Sequence, residues 1–300
     1  MKIMVSGLVN IETTVAIRQF PIEYYPIDYP FFGVNSRVSG VGYNVAKALG
    51  KLGDQVKLNG LIGKDDEAVR ILNCLEREGM ETDYLIPRLK QTPSSVVLYT
   101  PDGKRQIYCD LKDIQEQKLQ PKEYMKELSD CDAAVLCNIN FNRSLIKEAR
   151  TQKVLTATDV HVLEGVEDDY NRDFMENADI LFLSDEKLPE NPEIFIKKLF
   201  ERYHNQIIVI GMGEKGALLL NSSSQQITRV PSYHHDKIVN TVGAGDALFS
   251  SFLHFYLKGK DSVTALKKAV IFAGVKICSN GASNGFSTEK DTEAIFQKQQ

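Results

Sequence analysis

Short apolar stretches that alternate with amphipathic stretches organise most of this chain. The apolar stretches are unbroken, which is typical of strands buried on both faces of a parallel sheet. The predicted strands cover residues 2–9, 56–63, 133–138, 153–158, 179–184 and 206–210. Helical periodicity between them predicts helices within residues 39–53, 65–78, 122–129, 142–151 and 192–203. This alternation predicts an α/β fold, with a doubly wound, mostly parallel sheet flanked by helices.

Two segments depart from this alternation. Residues 94–111 contain two strand-like stretches around a turn, which predicts a β-hairpin. Residues 20–36 are rich in aromatic residues and proline and have no clear period, so they form either a disordered loop or a surface that packs against a substrate or a partner subunit. We expect one domain over residues 1–300, with a small β lid inserted from about 13–37 and 94–111. A homodimer could form through that lid.

Composition and charge exclude several classes of protein. A net charge of −4 over 300 residues gives no basic field for nucleic acid or an anionic membrane. No apolar run is long enough to span a bilayer, and the first strand soon meets Asn10 and Glu12, unlike a secretory signal. Five scattered cysteines without a CxxC spacing indicate reduced thiols in a cytoplasmic protein. The His234-His235 pair has no third ligand at a useful spacing, so we expect no zinc site.

A glycine-rich turn at residues 240–246 precedes a helix-like apolar segment. Gly243 and Gly245 allow the backbone to approach a ligand closely, and the unpaired amides of a helix start favour an anion such as phosphate. A carboxylate here would repel a resting phosphate, so we interpret Asp246 as a general base that takes a proton from an attacking hydroxyl. The simpler alternative is an Asp that stabilises the helix dipole in an ordinary turn.

A second group of small residues begins the first predicted helix. Gly40 and Gly42 would let the helix start lie close to a ligand, and Asn44 offers both a donor and an acceptor. An Asn that only caps the helix is the alternative. Asn10 and Glu12 follow the first predicted strand, and open α/β sheets bind ligands at that end of their strands.

A third glycine-rich segment, with Gly211, Gly213 and Gly216, has the spacing GxGxxG. A dinucleotide-binding site requires a helix after these glycines, whereas residues 217–221 predict another strand. We therefore reject a Rossmann dinucleotide site, although a glycine-rich hairpin could still lie against a nucleotide. The chain also has no GxxxxGK[ST] motif, which excludes a P-loop protein.

Taken in order, these motifs resemble those of the ribokinase family, also called the PfkB carbohydrate kinases, over nearly the whole chain. Residues 40–46 and 52–53 resemble the N-terminal family signature, and residues 240–246 resemble the C-terminal one, DTxGAGD. The resemblance implies ATP-dependent phosphorylation of a hydroxyl on a sugar, a nucleoside or a related small molecule. It also implies that Mg²⁺ bridges the phosphates and that the lid excludes water.

The resemblance further implies roles for individual residues. Asp246 would be the base, and the anion hole would be formed by the amides of Gly243, Ala244 and Gly245. The residues that would bind substrate hydroxyls are Asn10, Glu12, Gly40, Gly42 and Asn44. The residues that would line the nucleotide site are Gly211, Gly213, Gly216, Thr241 and Gly281.

Two departures from the family pattern concern cations. Asn240 stands where ribokinases carry an Asp that helps to hold a monovalent cation, which leaves potassium activation open. The family's NxxE motif, which is tied to magnesium and phosphate handling, aligns with residues 184–187, where Lys187 reverses the charge. We therefore assign no direct metal ligand, although Asp185 or Glu186 could act through water.

Three alternatives to a sugar kinase remain at this stage. The aromatic residues of 20–36 could stack on a nucleobase, which would favour a nucleoside kinase of the same family. Ser184 and Lys187 would suit a non-catalytic sugar- or nucleoside-binding regulatory protein on the same fold. An unrelated doubly wound enzyme, such as a nicotinamide oxidoreductase, is the third.

Overall fold

The structure, a computed structural model, describes residues 1–233, 238–239, 241–279 and 281–299. Within these residues one sheet has nine strands and a second has four, and the predicted α/β class is confirmed. The strands are β1 (Lys2–Ser6), β2 (Asn10–Ala16), β3 (Val34–Ser39), β4 (Gln55–Ile62), β5 (Leu85–Pro87), β6 (Ser94–Tyr99), β7 (Arg105–Asp110), β8 (Ala133–Leu136), β9 (Leu155–Asp159), β10 (Ile180–Ser184), β11 (Ile207–Gly211), β12 (Ala217–Asn221) and β13 (Gln226–Val230). The helices are α1 (Val41–Lys51), α2 (Asp66–Arg77), α3 (Met125–Ser129), α4 (Arg143–Thr151), α5 (Arg172–Asn177), α6 (Pro192–Tyr203), α7 (Ala244–Gly259), α8 (Ser262–Lys276) and α9 (Glu289–Gln297). His234, His235 and Asn240 lie outside the described residues.

The nine-stranded sheet has the strand order β13-β12-β11-β10-β9-β8-β1-β4-β5, and its antiparallel pairs are β11 with β12 and β12 with β13. Strand β1 is parallel to β4 on one side and to β8 on the other. The chain therefore builds outward from β1 in one direction and then in the other. Open α/β sheets bind ligands at the carboxyl ends of the strands where this reversal occurs.

The helices cover both faces of the large sheet. Successive side chains of a strand point to opposite faces, so Ile3 and Val5 join one buried cluster while Met4 joins the other. The first cluster holds apolar residues of α1, α2, α7 and α8, and the second holds those of α3 to α6. In the part of the chain that the structure describes, no helix has the length and apolar character to cross a membrane.

The four-stranded sheet has the order β3-β2-β6-β7. It contains the hairpin predicted at residues 94–111, and it begins at Asn10, earlier than the expected start near residue 13. Residues 17–33, between β2 and β3, form no helix or strand. Several of their aromatic side chains are exposed, and Phe32 is 98% exposed. The aromatic segment therefore does not pack into this chain's own core.

The first strand is shorter than the predicted 2–9. It ends at Ser6, and the chain turns at Gly7 and Leu8, where the Leu8 carbonyl accepts a hydrogen bond from the Gly42 amide at 3.0 Å. Asn10 consequently belongs to β2, in the second sheet, rather than to a loop that ends β1. The apolar run of residues 2–9 hides this turn because Val9 is buried again on the far side of it.

Candidate active site

The glycine-rich turn begins α7, as predicted. Gly243 is the N-cap residue, with φ of 79°, and a Cβ on it would lie 2.4 Å from the carbonyl oxygen of Ala282. The turn thus requires glycine both for its conformation and for its contact with the next loop. Asp246 lies in the first turn of the helix, beside amides that have no intrahelical partner. A carboxylate and an anion-binding helix start therefore lie next to each other.

Asn44 of α1 reaches this carboxylate. Its Nδ2 donates to Oδ2 of Asp246 at 2.8 Å, across 202 positions of sequence. The start of α1 lies against the end of β1, because a Cβ on Gly40 would be 2.4 Å from the Leu8 carbonyl oxygen and one on Gly42 would be 2.7 Å from the Gly7 carbonyl carbon. The two glycines therefore allow Asn44 to reach Asp246. The alternative that Asn44 only caps its helix is wrong, since α1 has Gly40 as its N-cap.

The four-stranded sheet contributes Asn10 and Glu12, which point to one face of β2. Asn10 Nδ2 donates to the Ser95 hydroxyl at 3.1 Å, and the Ser39 hydroxyl donates to Glu12 Oε2 at 3.2 Å. Among the described residues, Oδ1 of Asn10, Oε1 of Glu12 and Oδ1 of Asn44 are buried without a hydrogen-bond partner. Such an oxygen costs about 1–3 kcal/mol when it stays unpaired. Donor groups of a ligand would remove this cost.

Burial dominates the electrostatics of the site. It raises the pKa of Asp246, while the Asn44 hydrogen bond and the nearby side chains of His161 and Lys276 act in the opposite direction. Burial also raises the pKa of Glu12, against the hydrogen bond from Ser39. Asp246 keeps partial contact with solvent, so its carboxylate can meet a substrate. A carboxylate with a raised pKa is a better proton acceptor than a solvated one.

Asp159 and His161 are site residues that the sequence reasoning missed. The His161 amide donates to Asp159 Oδ1 at 2.8 Å, and both side chains influence the pKa of Asp246, Asp159 raising it and His161 lowering it. They end or directly follow β9, whose neighbour β8 lies beside β1. The rule that drew attention to Asn10, polar residues at the carboxyl end of a strand, would have found them too.

The glycines of the GxGxxG segment lie at the far end of the same sheet edge. Gly211 ends β11, and a single helical turn over Gly213–Lys215 leads into the antiparallel strand β12. Gly216 has φ of 89°, and a Cβ on it would lie 2.0 Å from the Val230 carbonyl oxygen. The predicted strand, β12, follows these glycines in place of the helix that a Rossmann site requires.

The other two residues predicted for the nucleotide site, Thr241 and Gly281, are contacted by arginines of the small sheet. Arg105 donates to the Thr241 hydroxyl at 3.0 Å. Gly281 has φ of 86°, and a Cβ on it would lie 1.8 Å from a guanidinium nitrogen of Arg37. Sequence reasoning identified neither arginine, because nothing in a strand pattern says which loop the strand will lie against.

The segment that aligns with NxxE lies at the carboxyl end of β10. The Asp185 amide donates to the Gly211 carbonyl at 2.8 Å, and the Glu186 amide donates to the Ser184 hydroxyl at 3.2 Å. Lys187 forms an exposed ion pair with Glu164 at 3.0 Å, so its charge is directed to a surface partner. No three His, Cys, Asp or Glu side chains in the described ranges converge as a metal site.

Comparison with known proteins gives consistent matches. A family model described as pfkB family carbohydrate kinase matches residues 2–289. An acarbose 7(IV)-phosphotransferase of Actinoplanes sp. is 22% identical over 290 residues, which cover 96% of this chain and 95% of that protein. The solved structure of a microbiome-derived acarbose kinase has a TM-score of 0.89 at 22% identity, with 98% of each chain covered. Arabidopsis thaliana ribokinase complexed with ribose and ATP has a TM-score of 0.80 at 19% identity, again with 98% of each chain covered.

Proposed function

This chain belongs to the pfkB family of carbohydrate kinases, and we propose that it transfers the γ-phosphoryl group of ATP to a hydroxyl of a sugar or sugar-like substrate. The position of Asp246 supports this proposal most strongly. Its carboxylate lies in the first turn of α7 and is held by Asn44 at 2.8 Å. A base and an anion site side by side are what phosphoryl transfer to a hydroxyl requires.

Asp246 acts as the general base in the proposed reaction. The Asn44 hydrogen bond fixes one carboxylate oxygen, and the other takes the proton of the substrate hydroxyl. The hydroxyl oxygen then forms its bond to the γ-phosphorus as the bond from that phosphorus to ADP breaks. The amides of Gly243 and Gly245 stabilise the charge on the transferring group, whereas that of Ala244, also expected from the sequence, donates to the Thr241 carbonyl at 3.1 Å.

The substrate lies between β2 and the start of α1. Asn10, Glu12 and Asn44 accept hydrogen bonds from its hydroxyls through the buried oxygens that have no partner among the described residues. A polyol with adjacent hydroxyls satisfies all three, which favours a sugar over a largely apolar molecule. Gly40 and Gly42 contribute by their lack of a side chain, which keeps α1 close to β1.

The nucleotide lies along the remaining loops of the same edge. Its phosphates meet the start of α7 and Thr241, and its nucleoside lies among the glycines at 211, 213, 216 and 281. Magnesium fits this arrangement as an ion carried by the phosphates, with Asp185 and Glu186 reaching it through water. Bound there, it would neutralise phosphate charge.

In this proposal the four-stranded sheet acts as a lid over the site. The lid and the large sheet with its helices together form one domain over residues 1–300. Arg105 and Arg37 already join the lid to the loops at Thr241 and Gly281. Closure would exclude water from the transferring group. The exposed aromatic segment 20–32 suits a homodimer that forms through the lid. We expect the enzyme to work in the cytoplasm, where ATP is available.

A nucleoside kinase is the second candidate. The exposed rings of Tyr24, Phe31 and Phe32 on the lid could stack on a base. The ion pair between Lys187 and Glu164 counts against the non-catalytic alternative, because it directs the charge of Lys187 to the surface.

The test is ADP release from Mg·ATP over a panel of sugars and nucleosides. We expect turnover on one class and a loss of about 100-fold to 10,000-fold in Asp246→Asn, the usual worth of a general base. Asp66→Asn is the matched control, since Asp66 also lies in the first turn of a helix but is exposed and remote from the site. Turnover that survives in Asp246→Asn would refute the assigned role.

A further inference from the structure

Lys276 is a charged side chain with no solvent exposure, at the end of α8. Its ammonium donates to the backbone carbonyl of Val242 and, at 2.9 Å, to that of Gly281. Burial lowers the pKa of Lys276 to about 8, against the charges of Asp246 and Glu12, which favour the ammonium. A buried ammonium is costly to fold around. Its two partners lie in the turn before α7 and in the loop after α8, which suggests that the catalytic turn needs this cation.

The Val242 hydrogen bond fixes an amide of the anion hole. A peptide unit is planar and trans, so the carbonyl of Val242 and the N–H of Gly243 point in opposite directions. Because Lys276 binds the Val242 carbonyl on the buried side of the turn, the N–H of Gly243 points away from Lys276, toward the outer side of the turn. The ammonium therefore sets the direction of the first donor of the proposed anion hole.

The Gly281 hydrogen bond ties a second loop to the same point. A Cβ on Gly243 would lie 2.4 Å from the Ala282 carbonyl oxygen, so the turn before α7 and the loop after α8 are in direct contact. Both loops carry residues assigned above to the nucleotide, Thr241 and Gly281. One ammonium thus links the two loops between which the phosphates would lie.

We propose that Lys276 is a positioning residue whose ammonium serves as a built-in cation, joining the turn at Val242 to the loop at Gly281 and replacing a free monovalent cation between them. The inference rests on the proposed kinase function. A potassium ion bound by these same carbonyl oxygens would overlap the ammonium, and the two charges would repel each other. The ribokinase arrangement, in which an Asp at the position of Asn240 helps to hold the ion, therefore does not fit this chain.

The first experiment measures kcat in Mg·ATP at constant ionic strength, with choline, sodium, potassium or ammonium as the monovalent cation. Wild-type turnover should be the same in all four salts. Lys276→Ala should lower kcat by about 100-fold or more in choline, comparable to the loss of one anion-hole donor. Ammonium or potassium should restore most of that loss. Lys276→Met fills the space with an uncharged chain and should not be rescued, while the exposed Lys267→Met on the same helix should behave as wild type.

The second measurement does not depend on turnover. The thermal midpoint of Lys276→Ala should rise with potassium or ammonium, and that of the wild type should not. A wild type that needs potassium, or a Lys276→Ala variant whose loss no small cation rescues, would overturn the proposal. If the variants do not fold, rubidium soaked into wild-type crystals decides, since an anomalous peak between the Val242 and Gly281 carbonyls would refute a built-in cation. Failure of the kinase assay alone would count against the proposed reaction. The thermal midpoints and the rubidium soak would still test the role of Lys276.

Discussion

At the scale of single residues, Asp246 is explained better by chemistry than by the helix dipole. An Asp that only stabilises a helix start gains little from burial, because burial disfavours its charge. Here burial raises the pKa of Asp246, and the charge of Asp159 adds to the effect, so ionisation of this carboxyl is less favourable than in water. The Asn44 hydrogen bond holds the group in one orientation despite this cost. A carboxylate that is held in place and has a raised pKa is suited to general-base catalysis.

The raised pKa of Asp246 predicts the pH dependence of turnover. The base must be ionised, so kcat should fall as the pH falls through this raised pKa, at a pH above the ordinary range of an aspartate. A pH profile of kcat in the wild type and in Glu12→Gln measures it. Because the pKa of Glu12 is also raised, a limb that disappears in Glu12→Gln would assign the titration to Glu12 instead.

The same shift determines the stability of Asp246→Asn. A carboxyl with a raised pKa in the folded protein makes folding less favourable once the pH exceeds its unfolded pKa. Removing that charge should leave the thermal midpoint at pH 7 unchanged or higher. Inactivity of the variant could then not be attributed to unfolding.

At the scale of elements, the start of α7 depends on two glycines for different reasons. Gly243 has a left-handed conformation and lies against Ala282, whereas a Cβ on Gly245 would meet no described atom within 4 Å. The core holds the helix itself, where Phe249 and Phe252 pack on Phe182 of β10 at 4.9 Å and 5.2 Å. The turn can therefore change without loss of the helix.

This difference predicts opposite effects of two alanine substitutions. Gly243→Ala should lower the free energy of unfolding by about 1–3 kcal/mol, because of its positive φ and the collision with Ala282. Gly245→Ala should leave stability unchanged or raise it by up to about 1 kcal/mol through helix propensity. It should nevertheless lower turnover, since its methyl group would occupy open space beside the proposed anion hole. Chemical denaturation and kcat compare the pair, and equal losses of stability would contradict the assignment.

At the scale of the whole molecule, the segment between β2 and β3 exposes several large aromatic side chains. Tyr24, Phe31 and Phe32 are 87%, 85% and 98% exposed. Tyr29 stacks on Phe31 with ring centroids 6.2 Å apart, so the segment has some local order. Large exposed apolar patches mark binding surfaces, and a second lid is the partner we favour.

A homodimer through the lid predicts a change in mass on mutation. Wild-type protein should have the mass of a dimer by light scattering, and the triple variant Tyr24→Ser, Phe31→Ser, Phe32→Ser should have that of a monomer. The exposed Val69→Ser on α2, outside the lid, serves as the control. A monomeric wild type would exclude the dimer and leave the aromatic segment for a substrate.

The sequence by itself determined the fold class and the main candidates of the site. Buried strands alternate with amphipathic helices. The periodicity of each follows from local backbone geometry, so it can be recognised in the sequence without knowledge of the tertiary structure. The turn at Gly243 and Asp246 was found for the same reason, because backbone freedom and helix-start chemistry are local properties. Two helices, α5 and α9, were missed, and a continuous apolar run hid the end of β1 at Ser6.

Only the tertiary structure decided which side chains meet. Asn44 and Asp246 are 202 positions apart in the sequence, and the packing of α1 against α7 brings them into contact. Lys276 illustrates the limit most clearly: in sequence it is a lysine at a helix end, where a cation normally stabilises the dipole in solvent. In the fold it is buried on the carbonyls of Val242 and Gly281. Burial and charge environment are properties of the assembled chain, so chemistry that depends on them cannot be derived from local pattern alone.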